Sequence, residues 1–528
     1  MARAARGAAL LVLWVGAAWP LAHLAAQRGE GAVRYRLAYA TLLGGSAWDQ
    51  AREVIVEPDG SLLIGAQSSS SDMPTTPGVV QPQYAGDDPA LGPGGVYSGD
   101  CYLARLSADG RKLLAATYFG GSKQERNVYG MALDREGNVA ITTMTRSPDA
   151  PTTAGCLQPR YGGGPSDMLV AKLSADLRKV LWCTYLGGSG DESPRGGLTL
   201  DEQGAVYVVG TSDSADFPTT RGVVQEHRNG PRDSVIAKLA PDGSALEFST
   251  LLGGSGEDDA IMGVRLDAAG RIYVAGHTKS ADFPVTAGAA QPKPGGQSDC
   301  YLAALSPDAS KILYASYLGG TGNEFAEHRP YLTADGCLLL SGFAGSDDFP
   351  TTAGAYQRRR NGEGDGFVTK LAADGKAFVF STLLGGSGND SLLMPTPLGS
   401  TMGEAGGTGE ATRPTAGSSE AEGNLIVVGS SASRDFPVAA DALQPTFGGG
   451  NEDAVLAVLS PDGSRLLYAT FLGGTGEEMI RSVALGPGGE LYLVGNTSSD
   501  DFPVTADALQ ATHAGGGDTF VAKLVPEG

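Results

Sequence analysis

The sequence predicts an all-β fold: a seven-bladed β-propeller with four antiparallel strands per blade. Three observations lead there. One ten-residue phrase recurs seven times, each repeat divides into short runs of alternating polarity, and the last repeat stops one strand short. The phrase reads TYLGGSGDES at 184–193, TLLGGSGEDD at 250–259 and TFLGGTGEEM at 470–479. The second glycine of its pair falls at Gly45, Gly121, Gly188, Gly254, Gly320, Gly386 and Gly474, in steps of 76, 67, 66, 66, 66 and 88 residues. A period of that length marks an array of units, each burying its apolar face against the next. An array also accommodates 528 residues without separate domains, whereas a single core stops growing near about 250–300 residues.

The strands are clearest in the final unit. MIRSVALG alternates and breaks at PGG. ELYLVGN alternates and breaks at TSSDDFPVTADALQATHAGGGD, and TFVAKLV is a third run. Earlier units add a fourth, as in SRLLYATFLGG at 464–474. Period-two alternation with Gly, Asp and Pro punctuation describes antiparallel strands, and turns such as DREGN and PDGS suit short hairpins. Each unit is therefore a meander of strands a, b, c and d. The seventh has only a, b and c, and a d-type run, RYRLAYATLLGG from Arg34 to Gly45, precedes the first. A ring uses that strand: the N-terminal segment completes the C-terminal blade, three plus one, and covers the open edge.

The phrases LLYATFLGGTG, SVALGPGGELYLVGNTSSDDFPVTADALQ and GGGDTFVAKL resemble the bacterial β-propeller repeat known as SBBP, and their strand pattern is similar to that of NHL repeats. The resemblance runs from Arg34 to Gly528. It implies a propeller exported to, or displayed on, a bacterial surface. It implies no particular activity, because one fold hosts many functions.

Ahead of the propeller, 1–26 reads as a signal peptide or N-terminal membrane anchor and 27–33 as a linker. Arg3 and Arg6 make a positive start, Ala8 to Ala18 is apolar, and Ala25 and Ala26 offer a cleavage point. The expected location is secreted, periplasmic or cell-surface. The first unit is extended near YAGDDPALGPGGVYSG, and the sixth carries a Gly/Ser/Thr/Glu-rich, flexible insertion at about 399–422. A net charge of −21 repels phosphate backbones and anionic lipid, so no nucleic acid is expected, and no membrane beyond an N-terminal anchor. The five cysteines contain no C-x-x-C, which leaves no zinc or thioredoxin-like motif. Cys101, Cys183, Cys300 and Cys337 fall in predicted strands as small buried hydrophobes, and Cys156 in a loop.

Antiparallel connectivity puts the a–b and c–d turns on one face and the b–c and d–a connections on the other. The long b–c loops make the second face the place to expect binding. Each loop carries an aspartate, at Asp72, Asp149, Asp216, Asp282, Asp348, Asp435 and Asp501, with a glutamine nine residues on. A second aspartate opens strand c, from Asp100 to Asp518. Short acids accept backbone N–H groups in tight turns, so these read as structural. No cofactor is expected. Calcium is the one metal such aspartates would suit, and no EF-hand-like run is present.

The recurring phrase leads into the innermost strand. The glycine pair is expected to allow a sharp change of direction that a side chain would obstruct. The acids after it are expected to ring the channel mouth: Asp49, Glu125, Asp191, Glu192, Asp258, Asp259, Glu324, Asp390, Glu477 and Glu478. Arg52, Arg126, Arg195, Arg329 and Arg481 follow in five copies, with His328 beside Arg329. Two readings stand. One is a mixed-charge pocket whose arginines hold carboxylate, phosphate or sugar hydroxyls. The other is a solvated ring of neighbouring ion pairs. No H-E-x-x-H, G-x-S-x-G or P-loop pattern occurs. The expected role is a monomeric, non-catalytic binding or scaffold module of the cell surface, taking a glycan or protein on the long-loop face. The alternative is a lyase or glycan hydrolase working at the channel mouth.

Overall fold

The alternating runs pair into seven antiparallel meanders, each in the order a, b, c, d. The computed structural model describes residues 34–86, 98–259, 263–326, 328–399 and 423–527. The expected signal and linker lie outside them, as do 87–97 of the first extension and 400–422 of the insertion. Blade 1 runs Asp49–Val56, Leu62–Ser68, Asp100–Leu106 and Leu113–Phe119. Blade 7 runs Glu478–Leu485, Leu491–Thr497 and Asp518–Glu527, and Arg34–Leu43 completes it. That closing strand pairs from Arg34↔Glu527 to Leu43↔Thr519.

The core lies between blades. Ile55, Leu63, Leu103 and Phe119 of blade 1 pack with Met131, Ile141, Leu169 and Tyr185 of blade 2. Leu42 and Phe520 of blade 7 pack with Leu456 of blade 6. Strand alternation thus serves two neighbours at once, as a ring requires. Three strand cysteines are buried as expected, but Cys337 sits in the a–b turn just before Leu338–Ala344, buried all the same. Cys156 is half-buried.

Strand a is interrupted at the same level in every blade. Register shifts between Ala51 and Glu53 and between Ile480 and Ser482 put Arg52 and Arg481 on bulges. In blades 3 to 5 the strand splits, as in Glu192–Ser193 then Leu198–Leu200. In blades 3 to 7 a strand-b glycine faces the break, and a side chain at Gly210, Gly276, Gly342, Gly429 or Gly495 would strike a strand-a carbonyl. Bulges re-aim the side chains they carry.

The d–a loops are held by a set of bonds that repeats seven times. In the loop before blade 4, Gly253 N–H donates to Gln225 Oε1 (3.0 Å) and Gly254 N–H to Asp258 Oδ2 (2.8 Å). Ser255 donates through N–H and Oγ to Asp282 Oδ1 (2.8 and 2.9 Å), and Gly256 N–H to Ser280 Oγ (2.8 Å). Four successive backbone donors are captured by four side chains. The glutamine comes from the preceding blade and the other three from the following one, so the clasp ties neighbours together. Equivalent glutamine bonds reach Gly44, Gly120, Gly187, Gly319, Gly385 and Gly473.

The glycine pair answers to space and not to backbone conformation. No member of it adopts a positive φ. Space is the constraint: a Cβ on Gly254 would lie 2.5 Å from Asp282 Oδ1 and 2.7 Å from Ser280 Cβ. Gly254→Ala is expected to destabilise the protein by about 1–3 kcal/mol, the range for overpacking. Gly354→Ala, whose Cβ meets nothing within 4 Å, serves as the control and should leave the urea midpoint unchanged or slightly raised.

Candidate functional site

The clasp absorbs most of the acids placed at the channel mouth by sequence. Asp49, Glu125, Glu192, Asp258, Glu324, Asp390 and Glu478 are at most 1% exposed. Each accepts from the second glycine of its loop at 2.7–2.9 Å. Glu192 also accepts from Ser212 (2.6 Å) and Ser214, and Asp258 from Ser280 (2.6 Å). Glu192 and Asp258 thus stand inside blade junctions and not on an open rim. The b–c loop aspartates complete the same junctions: Asp72, Asp149, Asp216, Asp282, Asp348, Asp435 and Asp501 each accept two bonds from the loop serine or threonine at 2.8–3.0 Å. Elsewhere on the rim, Asp191 accepts from Ser166 and pairs with Arg232 at 3.1 Å. Asp259 is half-buried, and Glu477 is exposed and accepts from Asn451.

Desolvation sets the titration of the clasp. Burial pushes Glu125 up to about 7 and Asp390 to about 6, against hydrogen bonds that favour the anion. Strand-c aspartates beside them follow: burial raises Asp167 to about 7, with the Glu192 carboxylate adding to it. Asp216, Asp282, Asp348 and Asp501 move the other way, lowered by bonds from the loop N–H groups.

The bulges deliver a second cluster to the axis. Arg329 of blade 5 meets Glu53 of blade 1 at 2.6 Å, with side chains 7% and 2% exposed. Blades 1 and 5 are not neighbours in a ring of seven, so this ion pair spans the channel. His328 is 4% exposed, and its Nε2 has no hydrogen-bond partner among the described residues. Burial first, then the guanidinium groups of Arg52, Arg481, Arg329 and Arg195, hold its pKa well below the usual histidine range. Burial raises Glu53, while Arg329, Arg52 and Arg265 oppose the rise. With the Gln50 amide turned so that its oxygen faces Arg481, that oxygen accepts from the guanidinium at 2.8 and 3.0 Å, and Arg52 stands 4.9 Å over the Tyr129 ring. The structure therefore joins Arg52, Arg195, Arg329, Arg481 and His328, and adds Glu53 and Arg265. Arg126 is half-buried at the start of strand a in blade 2. Sequence reasoning missed Glu53 because its partner lies 276 positions away. Guanidinium groups so placed have the chemistry to hold negative charge and hydroxyl groups. Among the described residues no three His, Cys, Asp or Glu side chains are grouped to hold a metal.

Architecture and closure make this chain a seven-bladed β-propeller. It carries an SBBP repeat, the family model described as a beta-propeller repeat matching residues 247–284. That segment is strand d of blade 3, the clasp, and strands a and b of blade 4. No curated protein matches the chain. Among solved structures, it is similar to a protein of unknown function from Dyadobacter fermentans DSM 18053: 11% identity, 94% of this chain, 100% of that one, TM-score 0.41. It is similar to BamB from Moraxella catarrhalis, at 12% identity over 93% of this chain and 99% of that one, with a TM-score of 0.39. It is also similar to quinohemoprotein alcohol dehydrogenase from Comamonas testosteroni: 12%, 93% and 76%, TM-score 0.42.

Two outcomes test this geometry. An acid whose folded pKa is raised lends stability that is complete below its unfolded value and lost as pH climbs through the folded one. For Glu125 the window runs from the ordinary 4.5 to about 7. Urea midpoints should therefore fall between pH 5 and pH 8, and Glu125→Gln should reduce that fall. Separately, Arg329→Met should cost about 3–5 kcal/mol by stranding Glu53 in the interior. Adding Glu53→Gln should restore much of that loss, as read in a double-mutant cycle by urea denaturation.

Proposed function

We propose that the protein is a non-catalytic binding module of the bacterial cell surface, taking a glycan or protein ligand on its long-loop face. One observation carries this reading: the acids of that face are committed to the fold. A glycan hydrolase needs a carboxyl group able to protonate a leaving group, with a second one facing it. Glu192 and Asp258, two of the acids read from sequence, are 0% exposed and occupied by backbone and hydroxyl donors. What the face presents is its b–c loops, each secured by an aspartate and a glutamine. Loops ordered before binding lose little entropy on binding, which suits recognition. The signal-like N-terminus supports export.

The lyase or hydrolase alternative rests on the axial arginines around a His328 kept neutral by burial and by their charge. Thermal unfolding of the full chain with a panel of glycans and surface proteins separates the two readings. A ligand at about 100 times its Kd stabilises the fold by about 2.7 kcal/mol. The binding reading expects a shift with no product released. Turnover of a glycan that disappears in His328→Ala would replace it with the enzymatic one.

A further inference from the structure

One backbone position on the long-loop face is equivalent from blade to blade and carries a side chain the fold does not use. The loop glutamine donates its Nε2 to the carbonyl two residues on: Arg160 (3.1 Å), His227 (2.9 Å), Lys293 (3.1 Å), Arg359 (2.9 Å), Thr446 (3.2 Å) and Thr512 (3.1 Å) in blades 2 to 7. All six residues are exposed, as is Gln83 at the matching place in blade 1. The fold asks only for the carbonyl, and threonine satisfies blades 6 and 7. Blades 2, 3, 4 and 5 instead place Arg, His, Lys and Arg there in succession. Blade 5 adds exposed Arg358, and Tyr356, Gln357, Arg358, Arg359 and Asn361 line a shallow depression.

These basic groups stand out in a chain with 59 acids against 38 lysines and arginines. The aspartates that open strand c behind these loops do not neutralise them. Asp167, Asp233, Asp299 and Asp365 turn inward to the N–H groups of Gly162 (2.6 Å), Asn229 (2.8 Å), Gly295 (2.6 Å) and Asn361 (2.9 Å). Arg360 alone of the blade 5 run is paired, with Asp347 at 2.7 Å.

We propose that this arc is a track for a linear acidic polysaccharide, whose recurring carboxylates meet one basic side chain per blade across blades 2 to 5. The inference rests on the binding reading above and gives its ligand a chemical class. A polymer with regular charge matches a row that advances by one equal rotation per blade, and several weak contacts on one chain add as avidity. A folded acidic protein has no such period. The net charge of −21 opposes any polyanion at a distance. Screening within about 8 Å at physiological ionic strength leaves the local contacts to decide.

The test is affinity electrophoresis and calorimetry of the full chain with polygalacturonate, dextran, poly-glutamate and single-stranded polynucleotide. A variant combining Arg160→Thr, Lys293→Thr and Arg359→Thr, the residue blades 6 and 7 already use, with Arg358→Ala, as blade 7 has at Ala511, should keep its urea midpoint. Binding of polygalacturonate but not dextran, weakened by salt and reduced about tenfold or more in the variant, supports the track. Dextran bound as well as polygalacturonate, with the variant unaffected, overturns the track and leaves the binding module standing. Poly-glutamate or polynucleotide bound in preference overturns the polysaccharide assignment. No polymer bound overturns the track, and the wider reading then depends on the surface-protein arm of the thermal screen.

Discussion

Four backbone N–H groups at the entrance to each innermost strand decide how this propeller holds together. They belong to a glycine-rich turn that no helix or sheet ladder can satisfy. The second glycine of each pair is buried, and its N–H left unpaired would cost about 1–3 kcal/mol. The chain answers with a glutamine from one blade and an acid, an aspartate and a hydroxyl from the next, as Gln225, Asp258, Asp282 and Ser280 do for Gly253 to Gly256. Because the donors sit on a connection and the acceptors on two blades, the same bonds finish the turn and join the ring. The glycine pair follows: the acceptors crowd so closely that a Cβ has no room.

The clasp also governs what chemistry is left. Acids that look, in sequence, like a ring of available carboxylates are spent on backbone donors, and burial raises many of them. The axis is held instead by a different set, Arg329 against Glu53 with His328 beside them. Strand-a bulges turn these side chains inward. The arrangement places positive charge at the centre of a strongly acidic molecule, while the b–c loops make the outer part of the same face.

Much of the fold was legible because a repeat writes its grammar many times. Alternation located the strands, the stray d-type run from Arg34 announced the closure, and both match the pairing of Arg34–Leu43 with Asp518–Glu527. Site geometry was legible only in part. Glu192 and Asp258 read as rim residues in sequence because position along the chain says that a side chain follows a loop, not which way it points. Arg160, Lys293 and Arg359 share a register that shows only when the units are aligned on the loop glutamine.

The sequence by itself determined the architecture: blade number, strand order and the three-plus-one closure are consequences of periodicity and of which strand is missing. Only the tertiary structure decided which charges face one another. Ion pairing across a ring joins residues as distant as Glu53 and Arg329, and hydrogen bonding turns a carboxylate inward wherever backbone donors wait. Both are effects of distance in space, which local sequence pattern does not record.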